Sequence, residues 1–184
     1  ASPVGSAENP TKNVIRVIND WAEKVLNIRL SNVNIKAEKT ANKAAMDVSG
    51  GGTTKVELDG QNVLDSHEVP YQAGLRKQGE GTLIITDETN DEGKKITTPK
   101  SESDTSGSLT AKGAGGNGAA GIGGSVAEGT KNITIEGYAT VHAAGGDWGA
   151  GIGGGGNGGN AENIIIRGHS KVTATTLGGA AIGG

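Results

Sequence analysis

The sequence predicts an all-β protein: a right-handed parallel β-helix with three short strands per turn, about 30 residues per turn and roughly five to six turns. The first observation is a repeat of glycine-rich segments, which are centred on Ile122, Ile152 and Ile182 and are evenly spaced. A fixed period of this size is typical of proteins in which each unit packs its apolar face against the next. The second observation is alternation: aliphatic residues recur at positions i and i+2, as they do in β-strands.

Two further sets of short segments carry this alternation. The first set lies at residues 28–30, 56–58, 83–85, 133–135 and 164–166, and the second at 33–35, 63–64, 109–111, 141–143 and 172–174. Gly, Asn, Asp and Ser separate the segments, which is typical of turns. A helical alternative is disfavoured, because β-branched residues dominate and each helical Gly costs up to about 1 kcal/mol relative to Ala.

The glycine-rich segments extend upstream as one inward column of aliphatic residues. Leu75 has the same Ala-Gly-aliphatic context, Met46 lies nearly one period before it, and Val17 lies the same distance before Met46. We therefore expect the column to run Val17, Met46, Leu75, Ile122, Ile152, Ile182. Only the step from Leu75 to Ile122 is longer than one period, which predicts an insertion of roughly 17 residues.

The insertion and the ends define the domain organisation. Residues 1–12 are interpreted as an extended leader and residues 13–184 as the β-helix, with a polar surface excursion at about 87–107 that contains a hairpin around Asp91, Glu92 and Gly93. Residues 19–24 fit either a capped helix or a turn, and the column favours the turn. Because no polar cap follows Gly184, we expect a fragment of a longer repeat protein.

Composition excludes several classes of function. The 33% hydrophobic content and 34 glycines fit an aliphatic core without Phe. A net charge of −3 gives no basic surface for nucleic acid, and no apolar run approaches the roughly 18 residues of a membrane span. The absence of Cys excludes disulfides, thiolate metal sites and Cys nucleophiles.

Three motifs carry a resemblance to a known family: Asn163 to Gly168 (NIIIRG), Gly149 to Gly154 (GAGIGG) and Gly107 to Gly113 (GSLTAKG). They are similar to glycine-rich "AGIGG" β-helical repeats in large surface proteins of gut Firmicutes, often labelled carbohydrate-binding-domain proteins and related to the pectate-lyase-like superfamily. The resemblance covers about residues 14–184. It implies a secreted or cell-surface bacterial protein that binds a polysaccharide or a host-surface glycan.

Alignment of the turns predicts which exposed residues are neighbours. One outward column is expected to contain Ser31, Asp59, Thr86, Glu136 and Arg167. Glu136 and Arg167 would then form an ion pair, and Tyr138 would lie beside His169. We treat Tyr138 and His169 as candidate ligand-binding residues, because aromatic side chains stack on sugar rings.

Trp148, next to Asp147 in a glycine-rich loop, is the strongest ligand-binding candidate. An exposed indole can stack on a sugar while the carboxylate accepts hydroxyl hydrogen bonds. The alternative is that Trp148 folds over the coil and packs on the neighbouring turn. No sequence motif indicates another cofactor, but Asp87, Asp91 and Glu92 are weak candidates for a calcium site, although the EF-hand spacing is missing.

These observations lead to three hypotheses on function. The first is a non-catalytic surface module that binds carbohydrate or acts in adhesion, with neighbouring repeats of the same chain as further partners. The second is a passive stalk that displays other domains. The third is a fragment of a polysaccharide lyase or hydrolase, which would require clustered carboxylates and a Lys or Arg base that the sequence does not show together.

Overall fold

A computed structural model describes residues 5–90, 92–101, 103–116 and 118–184. It confirms the parallel β-helix: in these ranges sixteen strands form three parallel sheets, with six strands in the first sheet and five in each of the others. Equivalent strands of successive turns pair directly, as Ile122 does with Ile152 and Ile133 with Ile164. The described residues contain one helical segment, a 3-10 turn at Lys39–Ala41, and no helix long and apolar enough to span a membrane.

Each of five successive turns contributes one strand to each sheet, and β16 adds a sixth strand to the first sheet. The first sheet contains β1 (Ile15–Ile18), β4 (Met46–Ser49), β7 (Leu75–Lys77), β10 (Ile122–Gly123), β13 (Ile152–Gly153) and β16 (Ile182–Gly183). The second contains β2 (Val25–Ser31), β5 (Thr53–Asp59), β8 (Leu83–Asp87), β11 (Thr130–Gly137) and β14 (Ala161–Ile166). The third contains β3 (Asn34–Lys36), β6 (Gln61–Asp65), β9 (Ser108–Lys112), β12 (Thr140–Ala144) and β15 (Lys171–Thr175).

The inward column of the first sheet is confirmed from Met46 to Ile182, and its first member is corrected. Met46, Leu75, Ile122, Ile152 and Ile182 pair in register. Met46 pairs with Ile15, however, and Val17 pairs with Val48. Residues 15 and 17 face the same side of a strand, so hydrophobicity does not distinguish the two registers.

The outward column of the second sheet needs the same kind of correction. Val56 pairs with Ile85, two residues beyond Leu83, so Glu57 rather than Asp59 lies beside Thr86. The observed column therefore contains Arg29, Glu57, Thr86, Glu136 and Arg167. The predicted pairing of Asp59 with Ser31 is confirmed, but these two residues lie two positions beyond the observed column.

The insertion is confirmed as the residues between β8 and β9. Residues 88–107, which we name the excursion, begin after Asp87 and end before Ser108. The hairpin is also confirmed, by an antiparallel bridge between Thr89 and Lys95. Residues 19–24 form no helix but a turn.

The predicted leader is partly described. Its first four residues lie outside the described ranges. Thr11, near its end, pairs in parallel with Ile35, so this residue extends the third sheet.

Aliphatic side chains fill the interior of the coil, with one charged exception. Ile122 and Ile152 are fully buried, whereas Ile182 in the last turn is 46% exposed, because no later turn of the described chain covers it. Lys77 occupies the inward position that Val48 holds in the preceding turn. Its Nζ donates to the carbonyl oxygens of Gln78 and Gly79 at 3.2 and 2.9 Å, and burial lowers the pKa of its ammonium group.

Candidate functional site

The predicted ligand-binding residues lie at two different corners of the coil. Tyr138 and His169 follow β11 and β14, at the corner between the second and third sheets. Trp148 and Asp147 lie between β12 and β13, at the corner between the third and first sheets. We name residues 145–150 the Trp148 corner. The structure therefore divides the predicted residues between two surfaces.

The Trp148 side chain is exposed and also held in place. It is 68% exposed, yet its indole lies against Gly178 of the next turn: a β-carbon on Gly178 would come 2.9 Å from Cε3. Thr176 donates its hydroxyl to the carbonyl oxygens of Gly146 and Gly149 at 3.1 and 2.7 Å, which ties the corner to the following turn. Both interpretations of Trp148 thus hold in part: it packs on the neighbouring turn and remains open to solvent.

Asp147 is half-buried beside this indole. Its backbone N–H donates to the carbonyl oxygen of Gly115 in the preceding turn at 2.9 Å. The corner is therefore bonded to the turns on both sides, and little conformational freedom remains in the backbone that carries Trp148.

The predicted contact between Tyr138 and His169 is confirmed as a stack of parallel rings. The ring centroids lie 5.0 Å apart, and the planes differ by 7°. The backbone N–H of Tyr138 donates to Asp87 and that of His169 donates to Gly137, both at 2.9 Å to the carbonyl oxygen. The backbone hydrogen bonds between successive turns thus set the spacing of the two rings.

A cleft that the sequence did not reveal lies beside this ring pair. It consists of two adjoining cavities of about 590 and 220 Å³ that share Pro99, Lys100 and Asp104. The larger cavity is lined by the excursion, and the smaller one also by Tyr138, Thr140, His169, Ser170 and Lys171. We name the two cavities together the excursion cleft. The cleft forms because the excursion folds back on the coil. The sequence of the excursion has no periodic pattern from which this path could have been predicted.

Acidic residues near the excursion form ion pairs or accept backbone hydrogen bonds. Arg29 binds Asp59 through both carboxylate oxygens, and Glu57 accepts the backbone N–H groups of Glu88 and Thr89 at 2.8 and 2.7 Å. The expected pair of Glu136 and Arg167 is confirmed at 2.6 Å. Since Arg167 is largely exposed, this pair contributes at most about 1 kcal/mol.

The calcium candidates have other partners or fall outside the structure. Asp87 binds Lys100, and burial, opposed by this lysine, raises the pKa of Asp87 to about 6. Glu92 pairs with Lys94 at 3.0 Å, and Asp91 lies outside the described residues. Among the residues that the structure describes, no group of three or more His, Asp or Glu side chains is placed to hold a metal ion.

A second exposed tryptophan lies in the first turn of the coil. Trp21 is 60% exposed, and the ammonium group of Lys24 lies 4.5 Å from its ring centroid, within the range of a cation–π contact. This cation covers part of the indole, in contrast to Trp148, for which no cation contact is found among the described residues.

The resemblance to glycine-rich surface proteins stays a prediction at this point. The chain matches no protein-family model, no curated protein and no solved structure.

Proposed function

We propose that the protein is a non-catalytic, secreted or cell-surface β-helical module that binds carbohydrate, a polysaccharide or a host-surface glycan, through the Trp148 corner. One observation carries this proposal: the indole of Trp148 is 68% exposed although the corner beneath it is fixed to the next turn. An exposed large aromatic side chain without a covering partner is typical of interaction sites.

The rigidity of the corner favours binding. An aromatic face stacks on the C–H face of a sugar ring, and the gain is larger when the side chain does not have to be ordered on binding. Thr176 and Gly178 provide that order before the ligand arrives. Asp147 precedes Trp148 in the sequence, so its carboxylate would be available to accept hydrogen bonds from the hydroxyls of a sugar bound at this corner.

The pairing of acidic residues supports a binding role over a catalytic one. Asp59, Asp87 and Glu136 each form an ion pair with Arg29, Lys100 and Arg167, respectively. A lyase needs carboxylates free to hold a cation together with an unpaired base.

The passive stalk remains the second candidate, since the fully stacked coil is also suited to hold other domains apart.

Affinity electrophoresis through gels that contain neutral or acidic polysaccharides tests the proposal. We expect at least one polysaccharide to retard the protein, and Trp148→Ala to weaken binding about tenfold or more, a change of about 1.4 kcal/mol. Trp21→Ala is the matched control, because it removes an equally exposed indole, and it should leave the retardation unchanged.

Three outcomes would contradict the proposal. Unretarded migration in every gel would favour the stalk. Equal effects of the two tryptophan substitutions would remove Trp148 from the binding site. Calcium-dependent release of unsaturated uronides from an acidic polysaccharide would show a lyase.

A further inference from the structure

The excursion is fastened to the coil where it begins. Glu57 accepts two backbone N–H groups and the hydroxyl of Thr89, the last at 2.8 Å. Lys55 pairs with Glu88 at 2.7 Å, and Arg29 donates to the carbonyl oxygen of Asn90 at 2.8 Å. The hairpin therefore leaves the second sheet in a fixed direction.

The excursion is fastened again near its end. Lys100 binds the buried carboxylate of Asp87 and donates to the carbonyl and hydroxyl oxygens of Ser106, both at 3.0 Å. Gln61 of the third sheet donates to the hydroxyl of Thr105 at 2.7 Å. With both ends held, the larger cavity within the excursion and the smaller one between the excursion and the coil are formed without a ligand.

The lining of the cleft is rich in hydroxyl groups. Among the described residues, seven serine and threonine side chains line the two cavities: Thr89, Thr97, Thr98, Ser101, Ser106, Thr140 and Ser170. The larger cavity, at about 590 Å³, has the size of a small-molecule site. Four of these hydroxyl groups already hydrogen-bond within the protein, those of Thr89, Ser101, Ser106 and Ser170. The other three, of Thr97, Thr98 and Thr140, remain for a ligand that has several hydroxyl groups.

The described residues that line the cleft include three lysines, Lys95, Lys100 and Lys171, and two acids, Glu92 and Asp104, and their charges cancel when the buried Asp87 that pairs with Lys100 is counted with them. Lys95 and Lys171 are then balanced by Glu92 and Asp104. The charge of Lys100 is balanced by Asp87, which lies beneath the excursion. A neutral ligand is therefore favoured over an anion or a cation.

We propose that the excursion cleft is a second binding site, separate from the Trp148 corner, for one neutral sugar unit. In the smaller cavity the Tyr138–His169 stack lies on the coil side and Asp104 on the excursion side. The serine and threonine hydroxyls of the excursion line the larger cavity that adjoins it. Together they supply the combination of an aromatic ring and several hydrogen-bonding groups that is typical of small-ligand sites. The site lies at a different corner from Trp148, so it does not depend on the function proposed for Trp148.

Titration of the ¹⁵N-labelled protein with glucose, galactose, mannose and N-acetylglucosamine tests this inference. We expect at least one of them to shift the backbone amide signals of residues around the cleft, with Kd in the millimolar range. His169→Ala on the coil side and Asp104→Ala on the excursion side should each raise that Kd about fivefold or more.

Two controls separate the cleft from its surroundings. His142→Ala removes an exposed imidazole from β12 at a position that does not line the cleft, and it should leave Kd within twofold. Trp148→Ala should also leave it within twofold, because this residue lies at another corner. Preserved folding of each variant is checked by circular dichroism.

Several results would overturn the inference. Absence of shifts with all four sugars up to about 50 mM, or an unchanged Kd in both cleft variants, would show that the cleft binds no neutral sugar. Binding of glucuronate in place of the neutral sugars would refute the argument from charge balance. Loss of monosaccharide binding in Trp148→Ala would refute a separate site, whereas failure of the polysaccharide assay alone would concern only the Trp148 corner.

Discussion

Replacement of isoleucine by alanine at two positions of one column tests the stacked core. Ile152 is fully buried and pairs in register with Ile122 before it and Ile182 after it. Ile152→Ala removes three carbon atoms, worth about 2.4 kcal/mol at about 0.8 kcal/mol each. The cavity left between two turns adds to this loss, so we expect about 3–4 kcal/mol.

The same substitution at Ile182 should cost much less. Ile182 is 46% exposed, so about half of the transfer free energy applies and no enclosed cavity forms. We expect a loss of about 1 kcal/mol. Urea denaturation followed by circular dichroism at 218 nm measures both losses, with the slope m compared among the three proteins to confirm a common transition.

Equal losses in the two variants would refute the reasoning, since they would show that Ile152 and Ile182 share one environment. Native-state hydrogen exchange gives a second readout. Amide protons of β13 should be better protected than those of β16, because Ile152 is fully buried whereas Ile182 is 46% exposed.

Further predictions concern a buried carboxylate and a glycine. The pKa of Asp87 is raised to about 6 from 3.8, so the folded state holds this proton more tightly. Stability should therefore fall by about 2 kcal/mol as pH rises from about 4 to 6, and by up to about 3 kcal/mol over the whole range from about 3 to 7. Asp87→Asn should remove this part of the pH dependence in urea melts, and parallel profiles for both proteins would contradict the assignment. Gly153 has φ +144°, and a β-carbon there would overlap the carbonyl oxygen of Gly183. Gly153→Ala should cost about 3 kcal/mol or more. Gly116→Ala, at a position with nothing within 4 Å, should change stability by less than about 0.5 kcal/mol, and thermal melts that rank the two glycines the other way would contradict this account.

The sequence was sufficient for the fold where spacing and residue type agree. The even spacing of the glycine-rich segments placed Ile122, Ile152 and Ile182 in one column, and a turn one residue longer placed Tyr138 beside His169. Direct stacking of parallel strands turns such a period into contact between equivalent residues.

Register was mispredicted where only the hydrophobic pattern was available. Val17 was placed beside Met46, and Asp59 beside Thr86, each two residues from the observed partner. A shift of two residues keeps every side chain on the same face of the strand, so the pattern of aliphatic residues fits both alignments. Turn lengths, which vary from corner to corner, decide between them.

The excursion cleft could not be predicted, because its contacts join segments without any periodic relation. Lys100 reaches Asp87 across 13 residues, and Gln61 reaches Thr105 across 44. Exposure posed a similar problem at Trp148: the sequence left open whether the indole packs on the coil, and the structure shows contact and exposure together.

The indole N–H signals provide the most direct test of the central claim that Trp148 is the carbohydrate-binding platform. The chain contains two tryptophans, Trp21 and Trp148, so its ¹H–¹⁵N spectrum should show two such signals, assigned by substituting each residue in turn. On addition of a polysaccharide that retards the protein, we expect the Trp148 signal to shift or broaden and the Trp21 signal to stay unchanged. An unchanged Trp148 signal at saturating polysaccharide would contradict the account.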